Sequence, residues 1–152
     1  MNEFKALVEM INRSSLVGKV LLLADRGYES YNNIEHLNNI GWKYLIRVKA
    51  PDVHCGLLWK RELPLNLAFD KYITVLLTRR QTNEVKSQPK LYKRLSKYSK
   101  FDFLPLESRE AYPFSYRIVS IELSSGKFEY LVTNLSQEEM SGEELKEIYH
   151  KR

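Results

Sequence analysis

The stretch Val-Leu-Leu-Leu-Ala-Asp-Arg-Gly-Tyr, residues 20–28, decides the fold. Its five apolar residues predict a strand buried on both faces, and Asp25 follows where that strand should end. In open α/β sheets, catalytic groups gather beyond the carboxyl ends of strands, and Gly27 permits a tight turn that would point Asp25 outward. The same residues also fit a plain strand ending, because Asp-x-Gly turns are common and one carboxylate does no chemistry alone.

The composition predicts a soluble globular chain with a core of its own. It has 152 residues, 43% of them hydrophobic, which suits one domain or a domain with an insertion. No apolar run approaches a bilayer span and no signal pattern opens the chain, so we expect a cytoplasmic protein without a membrane partner. Cys55 is the only cysteine, and beside His54 it does not have the spacing of a zinc site.

The net charge of +5 is concentrated in one segment. From Arg79 to Lys100 there are eight cations and one acid, Glu84, so this basic segment carries +7 and the rest of the chain −2. Such a patch is typical of contact with a polyanion, and Tyr92 and Tyr98 could stack on bases or sugars. A solvated lysine-rich loop is an equally good interpretation. The cations are Arg79, Arg80, Lys86, Lys90, Lys93, Arg94, Lys97 and Lys100.

The first fifty residues predict a helix, a strand, a second helix and a second strand. Asn2 to Arg13 has apolar residues at helical spacing, and the strand from Val20 to Ala24 should be central in the sheet. Glu29 to Asn39 predicts a helix that ends at Gly41 as its C-cap. Trp42 to Val48 predicts the next strand, parallel to the first, so that the intervening helix is a right-handed crossover.

The remaining residues predict short strands followed by a helix. Tyr72 to Thr78 is the clearest single strand, and alternation from Tyr116 to Leu123, a turn at Gly126 and a return from Lys127 to Thr133 predict a hairpin. We expect no second independent core here. Ser141-Gly-Glu-Glu fits the capping box of a last helix, whose pattern reaches the final residue without a stop signal. We therefore expect that the natural protein continues.

Four motifs, taken in order, carry a resemblance to a known family. They are Asp25-Arg-Gly-Tyr28 after a strand, the Leu-x-x-x-Gly-x-x-Tyr-Leu-Ile-Arg pattern of residues 37–47, the hairpin end of residues 129–135, and Tyr149-x-x-Arg152. Together they resemble bacterial DDE transposases of the insertion-sequence type 4 family. The resemblance implies an α/β fold, with an RNase H-like core part in residues 1–50, a β-rich insertion in residues 51–135 and the start of the C-terminal core helix in residues 136–152.

The resemblance implies metal-dependent DNA strand cleavage and transfer. Asp25 matches the second of three catalytic acids and would bind one of two Mg²⁺ or Mn²⁺ ions, which activate the nucleophile and stabilise the leaving oxygen. The first Asp would lie upstream, and the Glu would fall four residues past Arg152. The chain should then be an inactive internal fragment that holds no metal tightly. The alternative function is a non-catalytic nucleic-acid-binding α/β module.

The resemblance also implies DNA contacts, and a possible homodimer of the parent enzyme in the bacterial cytoplasm. Tyr149 and Arg152 would bind phosphates of the transposon end. In the alternative interpretation, Tyr149 packs its helix against the core and Arg152 is a cation that stabilises the C-terminus of that helix. Phe128 or Tyr130 would wedge against a flipped base, or one of them would fill the core; alternation places both on one face. The predicted contacts from the basic segment are Arg79, Arg80, Lys90, Lys93, Arg94 and Lys97.

Overall fold

The computed structural model of the chain describes residues 21–150, in which one six-stranded sheet has the order β1-β2-β6-β5-β3-β4. The predicted helix from Asn2 to Arg13, and also Val20 and Arg152, lie outside the described residues. The strands are β1 (Leu21–Ala24), β2 (Lys43–Val48), β3 (Phe69–Thr78), β4 (Tyr92–Arg94), β5 (Ala111–Ser124) and β6 (Lys127–Thr133). The helices are α1 (Tyr31–Asn39), α2 (Asn83–Lys86) and α3 (Gly142–His150), and a 3₁₀ turn spans Arg26–Tyr28. This mixed α/β architecture confirms the predicted fold class.

The first two strands are parallel, as expected, but β1 does not have the central position that the sequence predicted. β1 and β2 are parallel, with Leu21 opposite Lys43 and Ala24 opposite Ile46. Among the described strands, however, β1 is at one end of the sheet and not at its centre, and Leu21 is 38% exposed. The reason is that β6 pairs with the other side of β2, so the described sheet grows away from β1.

Helix α1 connects these two strands and has both of its ends capped. Ser30 accepts a hydrogen bond from the amide of Asn33 at 3.0 Å, so the helix begins two residues later than predicted. At the other end Gly41 has a φ of +77°, as its predicted C-cap role requires. The amide of Trp42 donates to the Leu37 carbonyl at 3.1 Å, which closes the last turn as a Schellman motif.

The predicted hairpin is present and joins the same sheet as β1 and β2. Strands β5 and β6 are antiparallel, with Ser124 opposite Lys127 and Gly126 at a φ of +76° in the turn. The other side of β6 pairs antiparallel with β2, where Val48 lies opposite Tyr130. The strands of residues 69–133 therefore extend the sheet that begins with β1 and β2.

Both faces of the sheet are covered by apolar packing. Tyr44 and Ile46 of β2 point into the larger cluster, which also contains Ile34 and other α1 side chains. Leu45 points to the opposite face and packs in a smaller cluster with α3. The predicted capping box starts α3: Ser141 Oγ accepts from the Glu144 amide, and Glu144 Oε1 accepts from the Ser141 amide, both at 3.2 Å.

Candidate functional site

Asp25 lies beyond the carboxyl end of β1, with its side chain exposed. One of its oxygens, Oδ1, accepts a hydrogen bond from the amide of Gly27 at 3.3 Å and so caps the 3₁₀ turn. No hydrogen bond from residues 21–150 reaches the other oxygen, Oδ2. The carboxylate therefore ends the strand and also keeps one oxygen available for a ligand.

A metal ion fits this carboxylate only as one ligand among several. In the described part of the chain, no group of three or more His, Cys, Asp or Glu side chains could hold an ion. Glu29, the next acid along the chain, uses its two oxygens to accept the amides of Lys49 at 2.9 Å and Leu57 at 2.6 Å. A magnesium ion at Asp25 would therefore need further oxygen ligands besides this carboxylate.

Glu29 is a structural residue that the sequence did not reveal. Its carboxylate ties the loop after β2 to the segment that follows β1, through amides 20 and 28 residues away. Gly56 packs against the same carboxylate, since an added Cβ would come within 3.4 Å of Glu29 Oε2. Nothing in the local pattern around Glu29 indicates partners so distant in the chain.

Two arginines, Arg79 at the start of the basic segment and Arg61 before it, stabilise the fold through hydrogen bonds to the main chain. Arg79 Nη1 donates to the carbonyls of Ser96 at 2.7 Å and Ser99 at 2.9 Å, and other donors of its guanidinium reach Leu104 and Phe101. Arg61, which sequence reasoning missed, is buried and donates in the same way to several main-chain carbonyls. A phosphate contact by Arg79 would have to displace these hydrogen bonds, so its placement favours a structural role.

The other predicted cations of the basic segment differ in solvent exposure and in their contacts with neighbouring side chains. Arg80 lies over the ring of the buried Tyr92, 5.9 Å from its centroid, and Lys90 pairs with Glu62 at 3.4 Å on the surface. Arg94 and Lys97 are exposed, and Lys97 lies 5.1 Å from the centroid of the Tyr98 ring. Lys90, Arg94 and Lys97 are therefore exposed to solvent, whereas Arg80 is half-buried.

Lys93 is half-buried and has no ion-pair partner among the described residues. Burial lowers the pKa of its amine, because a charged ammonium loses hydration there. The side chain lines two neighbouring cavities, of about 550 Å³ and about 630 Å³, which also share Cys55 and Ser99. A third cavity, of about 390 Å³, meets the first at Tyr98, Ser99 and Lys100.

The predicted aromatic contacts lie mostly in the core. Phe128 and Tyr130 share a face as predicted and pack against the larger cluster, where Tyr130 is 4% exposed. Tyr92 is buried and donates its hydroxyl to Glu84, so it is not placed to stack on a base, whereas Tyr98 is exposed. Tyr149 is buried in the smaller cluster with α3. For Tyr130 and Tyr149 this placement favours the packing alternative.

The chain matches one known family over its whole length. The family described as "Transposase DDE domain" matches residues 1–152. A search of curated proteins found no match. Within residues 21–150, none of the helices has the length and apolar character needed to cross a bilayer.

Proposed function

Because the chain belongs to the transposase DDE domain family, we propose that it contributes to metal-dependent DNA strand cleavage and transfer by a bacterial transposase of the insertion-sequence type 4 kind. The family match over residues 1–152 is the observation that carries this proposal. Transposases act on DNA, so DNA is the partner. The exposed position of Asp25 beyond the end of β1 supports its role as one of the catalytic acids.

Asp25 would hold one of the divalent ions, Mg²⁺ or Mn²⁺. When bound, such ions activate the attacking hydroxyl and stabilise the leaving oxygen of a phosphodiester. The contribution of this chain is positional: Gly27 holds Asp25 Oδ1, and Glu29 fixes the loop beside it. The remaining ligands belong to parts of the active site outside the described residues.

We also propose that residues 51–135 are an insertion into an RNase H-like core of residues 1–50 and 136–152. Support comes from the sheet, because the chain leaves β2 at Val48 and returns in β6, which pairs with β2. Strands β3 to β5 then continue the same sheet outward. Such an insertion can lengthen the sheet and present the basic segment without a separate core.

The decisive experiment replaces Asp25 by Asn in a complete transposase that carries this sequence. Asn keeps an oxygen for the Gly27 amide, so the fold should persist while the charge that binds the metal is lost. Cleavage of a donor DNA and its strand transfer should both disappear. Asp52→Asn, an exposed acid in the following loop, is the matched control and should retain activity. Unchanged transfer by the Asp25 variant would refute the catalytic role.

The charge of the basic segment favours a second candidate function. The basic segment carries a charge of +7, and within residues 21–150 no group of three or more His, Cys, Asp or Glu side chains could hold an ion. A non-catalytic nucleic-acid-binding module has this combination. It would be the better description if a transposase with Asn at position 25 remained active while loss of the basic segment's charges abolished DNA binding.

A further inference from the structure

We propose that the two cavities that meet at Lys93 form one groove for an unpaired DNA strand, in which Tyr98 stacks on a base and Lys93 and Lys100 hold phosphates. The proposal rests on the proposed function for the identity of the ligand as DNA. It goes further by naming the groove, the strandedness of the DNA and the residues that bind it.

The dimensions of the groove suit single nucleotides. Its two parts have volumes of about 550 Å³ and about 630 Å³ and share Cys55, Lys93 and Ser99 in their linings. Pockets of this size enclose a molecule as large as a nucleotide, whereas a base-paired helix would stay at the rim. Two adjacent pockets that share these residues can therefore accept successive nucleotides of an unpaired strand.

The lining of the groove is positive. The part between β4 and the loop after β2 is lined by five cations and by no carboxylate: Lys60, Arg61, Lys86, Lys93 and Arg94. The part beside α1 is lined by Lys93, Lys100 and one acid, Glu29, whose oxygens already accept two amides. A half-buried ammonium without an ion-pair partner among the described residues is stabilised by an anion, and phosphate oxygens are the anions that DNA offers.

Tyr98 provides a stacking surface at the mouth of the groove. Its side chain is 85% exposed, and it lines both the part beside α1 and the third cavity. The Lys97 amine lies over one side of the ring at 5.1 Å, which leaves the other side for a base. Aromatic side chains next to cations are the arrangement that proteins use to bind single strands without reading their sequence.

The groove wall is held in place before any ligand arrives. Residues 55–66 contain all four non-glycine residues of positive φ in the described part of the chain, and two of them, Cys55 and Lys60, line the groove. Such strained positions persist only where surrounding contacts fix them, and they gather at functional sites. Glu29 supplies one such contact through the Leu57 amide, and the segment from Asp25 to Glu29 joins this wall to the end of β1.

The test is a binding titration of this chain with a labelled single strand of about 12 nucleotides and with the matching duplex. Tyr98→Ala should weaken single-strand binding by roughly tenfold, and Tyr98→Phe should restore it, because a phenyl ring still stacks. Lys93→Gln combined with Lys100→Gln should lower the slope of log affinity against log salt by about 1.4 units. Lys71→Gln, an exposed lysine of β3 outside the groove, is the control and should bind like the unaltered chain.

Three results would overturn the proposal: unchanged single-strand binding by Tyr98→Ala, an equal loss with Lys71→Gln, or equal losses on single strand and duplex. Tyr98 is so exposed that its variants should fold, which melting by circular dichroism checks, so the test stands even if the Lys93 variant is unstable. Groove variants that bind normally, together with an inactive Asp25→Asn transposase, would remove the groove and keep the proposed function. The reverse result would keep the groove and remove the catalytic function.

Discussion

Arg117 is a buried cation whose partners explain how a charge can lie inside this sheet. Its side chain is 1% exposed, and it donates to both oxygens of Asp70, at 2.8 Å and 2.6 Å. Further donors reach the carbonyls of Leu135 and Met140, so the guanidinium joins β5 to the segment before α3. Arg61, Arg79 and Arg117 therefore stabilise the fold in the same way: each guanidinium donates hydrogen bonds to several main-chain carbonyl or carboxylate oxygens.

Removing the carboxylate of Asp70 should destabilise the protein. Asp70→Ala leaves the Arg117 charge buried with only carbonyl partners, and breaking such a pair from one side lowers the free energy of unfolding by about 3 kcal/mol. Urea denaturation followed by circular dichroism measures this change. Asp52→Ala, which removes an exposed carboxylate, should change the stability by less than about 0.5 kcal/mol. Equal stability of the two variants would show that the Arg117 pair contributes little.

The same pair should make stability depend on pH in the acid range. The hydrogen bond from Arg117 lowers the pKa of Asp70 below its ordinary value, although burial opposes that shift. The stabilisation is therefore fully present above the unfolded-state pKa of about 3.9, and it is lost as the pH falls through the lower folded-state pKa. Denaturation at pH 7 and near pH 2 should show a stability difference between wild type and Asp70→Asn that shrinks on acidification. A constant difference would contradict this linkage.

At the scale of elements, the hairpin of β5 and β6 connects the two ends of the described sheet. Its turn is short, with Ser124 opposite Lys127, and Gly126 takes the positive φ that the reversal needs. Beyond the turn, β6 pairs with β2 and β5 pairs with β3. The register of the hairpin therefore sets how β3 is aligned with β2 across the sheet, so the short turn influences strand positions far from itself.

Gly126→Ala should lower the free energy of unfolding by about 1 kcal/mol, because an L-residue at a φ of +76° is strained. The cost should come from the backbone alone, since no atom lies within 4 Å of the added Cβ. Chemical denaturation compares this variant with Ser125→Ala, the adjacent exposed position, which should be nearly neutral. A larger loss for Ser125→Ala would mean that the turn is not the one described.

The molecule combines the basic segment, residues 79–100, with the exposed carboxylate of Asp25 beyond the end of β1. The apolar clusters on the two faces of the sheet and the buried arginines stabilise the fold. The cavities at Lys93 and the carboxylate of Asp25 remain accessible to solvent. Membership of the transposase DDE domain family gives this arrangement its context in DNA transposition.

The 152-residue chain by itself should not nick DNA in the presence of magnesium or manganese. A pair of divalent ions needs several carboxylates, and within residues 21–150 no group of three or more His, Cys, Asp or Glu side chains could hold an ion. Incubation with supercoiled plasmid, followed by a gel assay, measures nicking directly. Metal-dependent nicking by a pure preparation, lost on Asp25→Asn but kept in Asp52→Asn, would mean that the active site is complete in this chain.

Features that depend on neighbouring residues could be predicted from the amino-acid sequence alone. The parallel pair of β1 and β2, the glycine caps and turns, the capping box of α3 and the shared face of Phe128 and Tyr130 all follow from periodicity and backbone preferences. These signals act over a few residues, so they can be read without knowing the rest of the fold. The exposed position of Asp25 at a strand end was predictable for the same reason.

Features that join distant parts of the chain became visible only in the folded structure. Arg117 and its partner Asp70 are 47 residues apart in the sequence, and Glu29 and its partner Leu57 are 28 residues apart. The position of β1 at one end of the described sheet, the inward donors of Arg79 and the cavities at Lys93 depend on such contacts as well. Charge and aromatic content look alike in a sequence whether a side chain faces solvent or the core. Solvent-facing and core-facing side chains are distinguished by their burial and by their hydrogen-bond or ion-pair partners, and these arise only once the sheet has formed.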